Sequence, residues 1–583
     1  MTYILGVNCY HADSSACLLL NGKIIVALEE ERINRIKHWA GFPLLSIKKC
    51  LEFSAINIGD IDYVAVNQDP KANILKKIKY TLLSKPNFKF YFQKLNNKLK
   101  RLNILSLIEA EIGKLKQDCK LINIEHHLSH IASSYYDSSY DKAVNLSVDG
   151  FGDFASVAWG TSCGSEIKID GRIFFPHSLG IFYEAFTQFL GFNNYGDEYK
   201  LMGLSALGKA TELKKFEKII KLKNNGEFQL DLEYFNHHKK KLSYSWDNTT
   251  PKSEILFNEK IYSIFGLPRT KDEELTEYHK NLAACVQQTY ENTLFNILNA
   301  IYTKYKINNL TLSGGCAQNS LANGKILNNT KYTSLFITSN AGDGGGAVGA
   351  AYAAWEKIFK LRPKKTLNAY LGVNYSNESI KLLIENNKSR LDEKYYSISF
   401  MQNEDDLCLN IAKEISNQKV IGWFQDKMEW GPRALGNRSI LSDPRNQDIK
   451  SILNIKIKRR ESFRPFAPSI LFEEANKWFK NFTEEDPYMT RVLEFEQDKK
   501  NLVPGVVHVD GTGRIQTVKK DDNIRYYKLI NEFYKITKVP IILNTSFNEN
   551  EPIVLKPEEA LECFLRTKMD ILVMENWIIK RIQ

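Results

Sequence analysis

The sequence predicts an α/β layered protein built from two domains. Three observations carry that expectation. Strand-like segments alternate with helix-like ones, as in layered α/β folds. The helix-like segments include one long amphipathic run. The pattern breaks once, around residues 357–367.

The elements follow in chain order. The opening stretch, YILGVNCYHADSSACLLLNGKIIVALEEER, places two apolar runs on either side of Asn21-Gly22, a strong hairpin signal. In KAVNLSVDGFGD, Val144, Leu146 and Val148 alternate as in a strand. Leu282, Val286, Tyr290, Leu294, Ile297 and Ile301 recur at three- and four-residue spacing, which predicts a helix over roughly 279–305 with one face buried. NLTLSGGCAQNS reads as a strand, a glycine turn and a helix start. The segment KIFKLRPKKTL is basic and holds Pro363, and a new strand-like start, AYLGV, follows it. The domains are therefore placed at 1–362 and 363–583.

At 583 residues the chain exceeds a single ordinary core. No stretch reaches the roughly 20 apolar residues of a membrane helix. The first residues lack the basic start, apolar middle and cleavage site of a signal peptide, so a cytoplasmic protein is expected. Nine cysteines, scattered and never spaced as CxxC, argue against a disulfide framework and a thiolate zinc site. The formal charge of +11 allows nucleic acid, anionic membrane or phosphorylated substrates as partners. The densest basic run, 76–101, interleaves lysines with aromatics. A solvated helical insertion with inward aromatics is the expectation there.

Three constellations carry chemistry. In EHHLSH, His126 and His130 stand four residues apart, on one face if helical. With Asp149 at the end of a strand and Asp343 in a glycine-rich turn, they would suit iron(II), manganese or zinc. The loops at Ser313–Asn319, with Gly314, Gly315 and Asn319, and at Gly344–Gly346 offer backbone amides to phosphate. The C-terminal half concentrates Arg433, Arg438, Arg445, Lys458, Arg459, Arg460 and Arg464 among turn-forming Gly and Pro. Guanidinium forks suit phosphate oxyanions. His508, Asp510, Arg514, Asn544, Ser546 and Asn548 follow in polar segments between apolar runs.

Together HADSSA, EEERINRIKHWAGFP, EHHLSH, SVDGFGD, SGGCAQNS, GDGGGAVGAA, MEWGPRALGNRSIL, RESFRPFAPS and LNTSFN resemble the NodU/CmcH family of O-carbamoyltransferases over nearly the whole chain. GPRALGNRS with FRPFAPS is the most specific pair. The resemblance implies an N-terminal actin-like ATPase domain (ASKHA, Kae-type) and a C-terminal YrdC-like α/β domain. It implies that carbamoyl phosphate and ATP, with magnesium, give a carbamoyl-adenylate in the second domain. The first domain, with iron(II) as the expected metal, would then pass the carbamoyl group to a hydroxyl of a small molecule or glycan. Matched to this sequence, His126, His130, Asp149 and Asp343 are the metal ligands, and His11 is the candidate base. Arg433, Lys458, Arg464 and Arg514 hold carbamoyl phosphate, with Asn544 beside them. Lys458 and Arg464 are counted with His11 as catalytic. Gly314, Gly315, Asn319, Gly344 and Gly345 hold nucleotide. Departures fall at 76–101 and in HHKKKLSYSWDNTT, where acceptor pockets are expected. A tRNA-modifying acyl-adenylate transferase and a non-transferase actin-like nucleotide-binding module are the alternatives. No RNA-binding motif supports the first, so nucleic acid is not an expected partner. A homodimer is one compatible assembly.

Overall fold

The computed structural model describes residues 1–84, 104–238, 249–251, 254–458, 461 and 463–582. Most of the basic aromatic run, residues 239–248 of the later polar tract, and Arg459 and Arg460 lie outside the described residues. The chain divides into an N-terminal unit, Met1–Ala322 with Ile326–Thr366, and a C-terminal unit, Asn323–Lys325 with Leu367–Gln583. Both are mixed α/β.

The N-terminal unit uses one topology twice. Strands β1 (Tyr3–Asn8), β2 (Ser15–Leu20), β3 (Lys23–Glu29), β4 (Tyr63–Val66) and β5 (Lys120–Asn123) lie in the order β3-β2-β1-β4-β5. β1, β2 and β3 are antiparallel neighbours, and β4 and β5 add on in parallel. Strands β6 (Lys142–Gly152), β7 (Ala155–Cys163) and β8 (Glu166–Phe174) form the second antiparallel trio. A small hairpin, β9 (Ile220–Leu222) and β10 (Phe228–Leu230), stands apart. Strands β11 (Asn309–Ser313) and β12 (Ser334–Ile337) then complete a sheet of order β12-β11-β6-β7-β8. Its parallel and antiparallel pairings repeat those of the first sheet.

Local chemistry explains these elements. Asn21 and Gly22 both adopt positive φ, 49° and 82°, as a two-residue hairpin with right-handed strand twist requires. β6 is buried from Ala143 to Asp149, with Val144, Leu146 and Val148 on one side of the pleat and Asn145, Ser147 and Asp149 on the other. The long helix spans Glu277–Tyr305, two residues longer at its start than its periodicity predicts. Thr276 and His279 close a capping box there. All six periodic positions named above are buried.

Two helices tie the repeated sheets together. Helix His126–Asp137 follows β5 but packs on β6 and β11, and helix Gly346–Phe359 follows β12 but packs on β1, β2 and β4. They also pack against each other. Each sheet is thus covered by the helix that follows the other.

The C-terminal unit contains an eight-stranded mixed sheet. Its strands are β13 (Tyr396–Phe400), β14 (Ile421–Phe424), β15 (Arg438–Ser442), β16 (Ala467–Leu471), β19 (Gln516–Val518), β20 (Ile541–Ser546), β21 (Ile571–Met574) and β22 (Trp577–Arg581), in the order β13-β22-β21-β14-β15-β20-β16-β19. A separate pair joins β17 (Val492–Glu494) to β18 (Thr512–Arg514). Helices Glu404–Ser416 and Ile524–Thr537 pack together, each capped by an asparagine, Asn403 and Asn523. One core runs through the unit from Ile380 to Ile579.

Away from the sheets, Phe186 anchors an aromatic cluster in the N-terminal unit. Its ring lies 5.2 Å from Phe182, 5.1 Å from Phe216 and 5.4 Å from Phe265, and it is fully buried. Phe186→Ala is expected to lower stability by about 3–5 kcal/mol, read as a shifted denaturant midpoint. A change below about 1 kcal/mol would mean that the cluster collapses without loss.

Candidate functional site

The N-terminal site begins with a single turn of helix. Glu125 caps helix His126–Asp137 by accepting from the Leu128 amide, so His126 and His130 stand one turn apart on the same face. Strand β6 brings in Asp149. The turn Asp343–Gly345, just before helix Gly346–Phe359, brings in Asp343. Asp149 Oδ2 lies 3.0 Å from both His126 Nε2 and His130 Nε2, and Asp343 Oδ1 lies 3.5 and 3.4 Å from them. One ligand atom from each of the four residues falls within 4.8 Å of the others.

The orientation of Asp149 has a backbone cause. Its Oδ1 accepts from the amides of Gly150 and Gly315, at 2.8 and 3.2 Å, which turns Oδ2 toward the imidazoles. Gly152 is required next to them: a Cβ there would lie 1.9 Å from the His126 ring. His127, between the two, is not part of the cluster. Its Nδ1 meets Ser147 Oγ at 2.8 Å, and burial pushes its imidazole down to about 4.

The four residues fit a divalent cation. The two Nε2 atoms are 3.0 Å apart, so one lone pair at least faces another ring nitrogen. Asp343 Oδ1 is buried without a hydrogen-bond partner. Two imidazoles and two carboxylates are a donor set for iron(II), manganese or zinc. Without a cation, protons take its place. Burial opposes charge on both imidazoles, but the Asp149 and Asp343 carboxylates outweigh it and hold His130 up at about 10, with His126 also raised. Burial likewise opposes charge on Asp149, yet the imidazoles keep its carboxyl well below the usual range. Burial and the Asp149 charge push Asp343 up.

His11 is buried beside this cluster, its ring 5.0 Å from that of His126. The same turn carries Asp13, whose Oδ1 meets His38 Nδ1 at 2.8 Å. Glu31 accepts from the His38 amide and from Arg32, and Arg32 also pairs with Glu29. Glu29 Oε1 in turn accepts from Asn340, near the second glycine loop. Asp13, Glu31 and His38 form a further set of possible metal ligands, but His38 and Arg32 already compensate its carboxylates. Sequence reasoning missed this chain of charges. Its signal was the run Glu29–Arg32, whose four ionisable residues are all buried.

The glycine loops are used partly by the protein itself. Gly314, with φ 88°, packs so closely on Val148 that a Cβ would lie 2.2 Å from its carbonyl oxygen. The Gly315 amide is taken by Asp149. Asn319 caps the following helix through Ala322 and exchanges two hydrogen bonds of 3.0 Å with Gln287. Gly344 gives its carbonyl to Ser15 Oγ, and Gly345 donates to Gly342.

In the C-terminal unit the arginine cluster divides. Arg438 is fully buried: it donates to the carbonyls of Gln425, Asn437 and Val373 and stacks 3.7 Å from the Phe424 ring centroid. Arg445 forks onto Asp443. Contrary to the expectation of one phosphate cradle, these two hold the scaffold. Lys458, also buried, donates to Ser546 and Asn548 through main-chain and side-chain oxygens at 2.5–3.2 Å. An ammonium has three protons, so these acceptors occupy it. Arg433, Arg464 and Arg514 remain half-buried, on the loop after β14, just before β16 and at the end of β18. Arg464 lies 3.7 Å from Glu461.

A buried polar network anchors the loop of Arg433. Asn544 Nδ2 donates to the Ala434 carbonyl, Ser469 Oγ and Gln516 Oε1, and Gln516 Nε2 donates to the Leu435 carbonyl. Glu429 Oε1 accepts from the amides of Leu435, Asn437 and Arg438 at 2.7, 2.8 and 3.1 Å. Glu429, Ser469 and Gln516 were not read from the sequence. An acid at the head of a basic, glycine-rich stretch was the available hint. His508 is buried and pushed down to about 4, chiefly by that burial.

Comparison with known proteins decides the family. The family described as Carbamoyltransferase N-terminus matches residues 3–352, and that described as Carbamoyltransferase C-terminus matches residues 412–581. The chain belongs to the carbamoyltransferase family. It is therefore a transferase. It is 36% identical to the uncharacterized protein sll1178 of Synechocystis, over all of this chain and 97% of that one. It is 34% identical to nodulation protein NolNO of Sinorhizobium fredii, over 98% of this chain and 80% of that one. It is 29% identical to the 3'-hydroxymethylcephem-O-carbamoyltransferase of Amycolatopsis lactamdurans, over 46% of this chain and 48% of that one. Among the described residues, no helix of this family member is long and apolar enough to cross a membrane.

Because protons and a cation compete for the same nitrogens, divalent metal affinity is expected to rise with pH between 6 and 9, by up to roughly tenfold per unit for each proton displaced. Calorimetric titration with manganese(II) or zinc(II) at several pH values reads this directly. Asp149→Asn is expected to abolish the binding. Affinity independent of pH would mean that the imidazoles are not ligands.

Proposed function

We propose that this carbamoyltransferase is ATP-dependent and transfers to oxygen. Residues of the C-terminal unit would join carbamoyl phosphate and ATP into a carbamoyl-adenylate, and residues of the N-terminal unit would deliver the carbamoyl group to a hydroxyl of a small molecule or glycan. The observation that carries this reading is the convergence of His126, His130, Asp149 and Asp343 in a chain of this family. The twice-used sheet topology supports an actin-like reading of the N-terminal unit. A YrdC-like reading of the C-terminal unit rests on its motifs.

In the first half-reaction the guanidinium groups of Arg433, Arg464 and Arg514 neutralise phosphate oxygens and align the carbamate with the ATP α-phosphorus, an electrostatic and positioning role. Water first splits carbamoyl phosphate into carbamate and phosphate; a carbamate oxygen then bonds to the α-phosphorus and pyrophosphate leaves. Lys458 acts at one remove, by fixing Ser546 and Asn548. The network of Asn544, Gln516 and Glu429 fixes the backbone of the Arg433 loop, so little reorganisation is needed.

In the second half-reaction the acceptor hydroxyl attacks the carbamoyl carbon and AMP leaves. His11 takes the hydroxyl proton, a role suited to imidazole near neutral pH. An iron(II)-type ion held by His126, His130, Asp149 and Asp343 supplies Lewis acidity when bound. The choice of a hydroxyl acceptor is supported by the O-carbamoyl transfer for which the cephem relative is named.

With carbamoyl phosphate and ATP but no acceptor, pyrophosphate release is expected only when both substrates are present. Arg464→Ala is expected to reduce it by at least about a hundredfold. His11→Ala should keep this release and lose transfer to an acceptor. Folded protein that releases no pyrophosphate would remove the adenylate step; loss of both steps in His11→Ala would remove His11 as the base.

A further inference from the structure

We propose that helix Ile74–Ser84 docks the N-terminal unit on an anionic lipid surface. The inference does not depend on the chemistry of transfer. At about 100° per residue, Ile74, Leu75, Ile78 and Leu82 fall on one stripe of this helix. They are 51%, 79%, 51% and 73% exposed. The opposite face holds the helix to the protein: the Tyr80 ring lies edge-on to Phe154 and Phe175, at 5.7 and 5.1 Å. A helix on a globular protein ordinarily turns its apolar stripe inward. This one turns it outward.

Charge selects the occupant. The helix, ILKKIKYTLLS, contains Lys76, Lys77 and Lys79 and no acid. Lys79 is exposed one turn from Leu75 and Leu82, and Lys76 is exposed beside them while its Nζ stays 5.2 Å from the Phe174 ring centroid. An apolar stripe edged by lysines is the pattern of helices that lie in the plane of a bilayer, apolar side down and ammonium groups among phosphates. Eleven residues lie on such a surface and do not span it. A second copy of the chain is the weaker fit. A twofold pairing through this stripe would bring the lysines that edge it, from two copies, toward one another without an acid of this helix between them.

Co-sedimentation of the full chain with vesicles of phosphatidylcholine, with and without phosphatidylglycerol, tests this. Binding is expected only with phosphatidylglycerol, and it should fall with added salt. Lys76→Gln and Lys79→Gln should each weaken it roughly fivefold. The triple variant Leu75→Ser/Ile78→Ser/Leu82→Ser should abolish it while keeping the wild-type circular dichroism, since all three side chains are exposed. No binding by the wild type at low salt overturns the proposal, as does undiminished binding by the triple variant. Should that variant instead change the sedimentation mass with no vesicle binding in either form, the stripe is a contact between copies.

Discussion

Asp149 is the constraint on which the N-terminal site depends. A carboxylate so buried needs compensation on both oxygens. Backbone amides hold one oxygen, and two imidazoles face the other. The amides come from its own strand and from the glycine loop after β11, so placing this one side chain correctly requires β6 and β11 in register. It also requires helix His126–Asp137 seated on both. Gly152 then lets the His126 ring approach where any side chain would block it. The cluster is therefore a product of the second sheet as a whole. It is not a local motif that could be moved elsewhere.

The C-terminal unit solves the opposite problem. There the excess charge is positive, and burial divides it into two kinds. Arg438 and Arg445 spend their guanidinium protons on carbonyls and on Asp443, and Arg438 adds an aromatic face. Lys458 is held by a single tight segment. Arg433, Arg464 and Arg514 are only half-buried, and the loop of Arg433 is fastened by neutral amides and one carboxylate. Glu429 does for the Arg433 loop what the glycine amides do for Asp149: one oxygen gathers three donors and fixes the backbone between them.

Much of this was open to reading before any coordinates. Periodicity located the long helix, Asn21-Gly22 located the first hairpin, and the HxxxH spacing with one acid at a strand end and one in a glycine turn named residues that the fold brings within reach of one ion. What the sequence concealed was partnership. Nothing in GPRALGNRS distinguishes Arg433 from Arg438, because the difference is which strand they meet; Arg438 begins β15 and points into the core. The roles of Gln516, Ser469 and Asn544 emerge only from pairing across β15, β20, β16 and β19, whose order in the sheet is far from their order in the chain. The set of buried Glu29, Glu31 and Arg32 with half-buried Asp13 and His38 was hidden for the same reason. A dense run of charges ordinarily reads as solvated surface, whereas here helix Leu44–Phe53 packs on β2 and β3 and Asn340 reaches Glu29.

The crossed helices of the N-terminal unit bear on how the chain reaches this structure. A repeated sheet topology invites the thought of two halves that fold alone and then associate. Here the helix Gly346–Phe359 that covers the first sheet is encoded hundreds of residues after β1, β2 and β4, whereas the helix that covers the second sheet directly precedes β6. Helix Gly346–Phe359 must be synthesised before β1, β2 and β4 can bury their outer faces. Such long sequence separation raises contact order, which slows folding, and it leaves the first sheet's apolar face in need of protection during synthesis. The ion-binding corner, which needs both the His126 helix and the turn before Gly346, is accordingly among the last features of the N-terminal unit that the growing chain can complete.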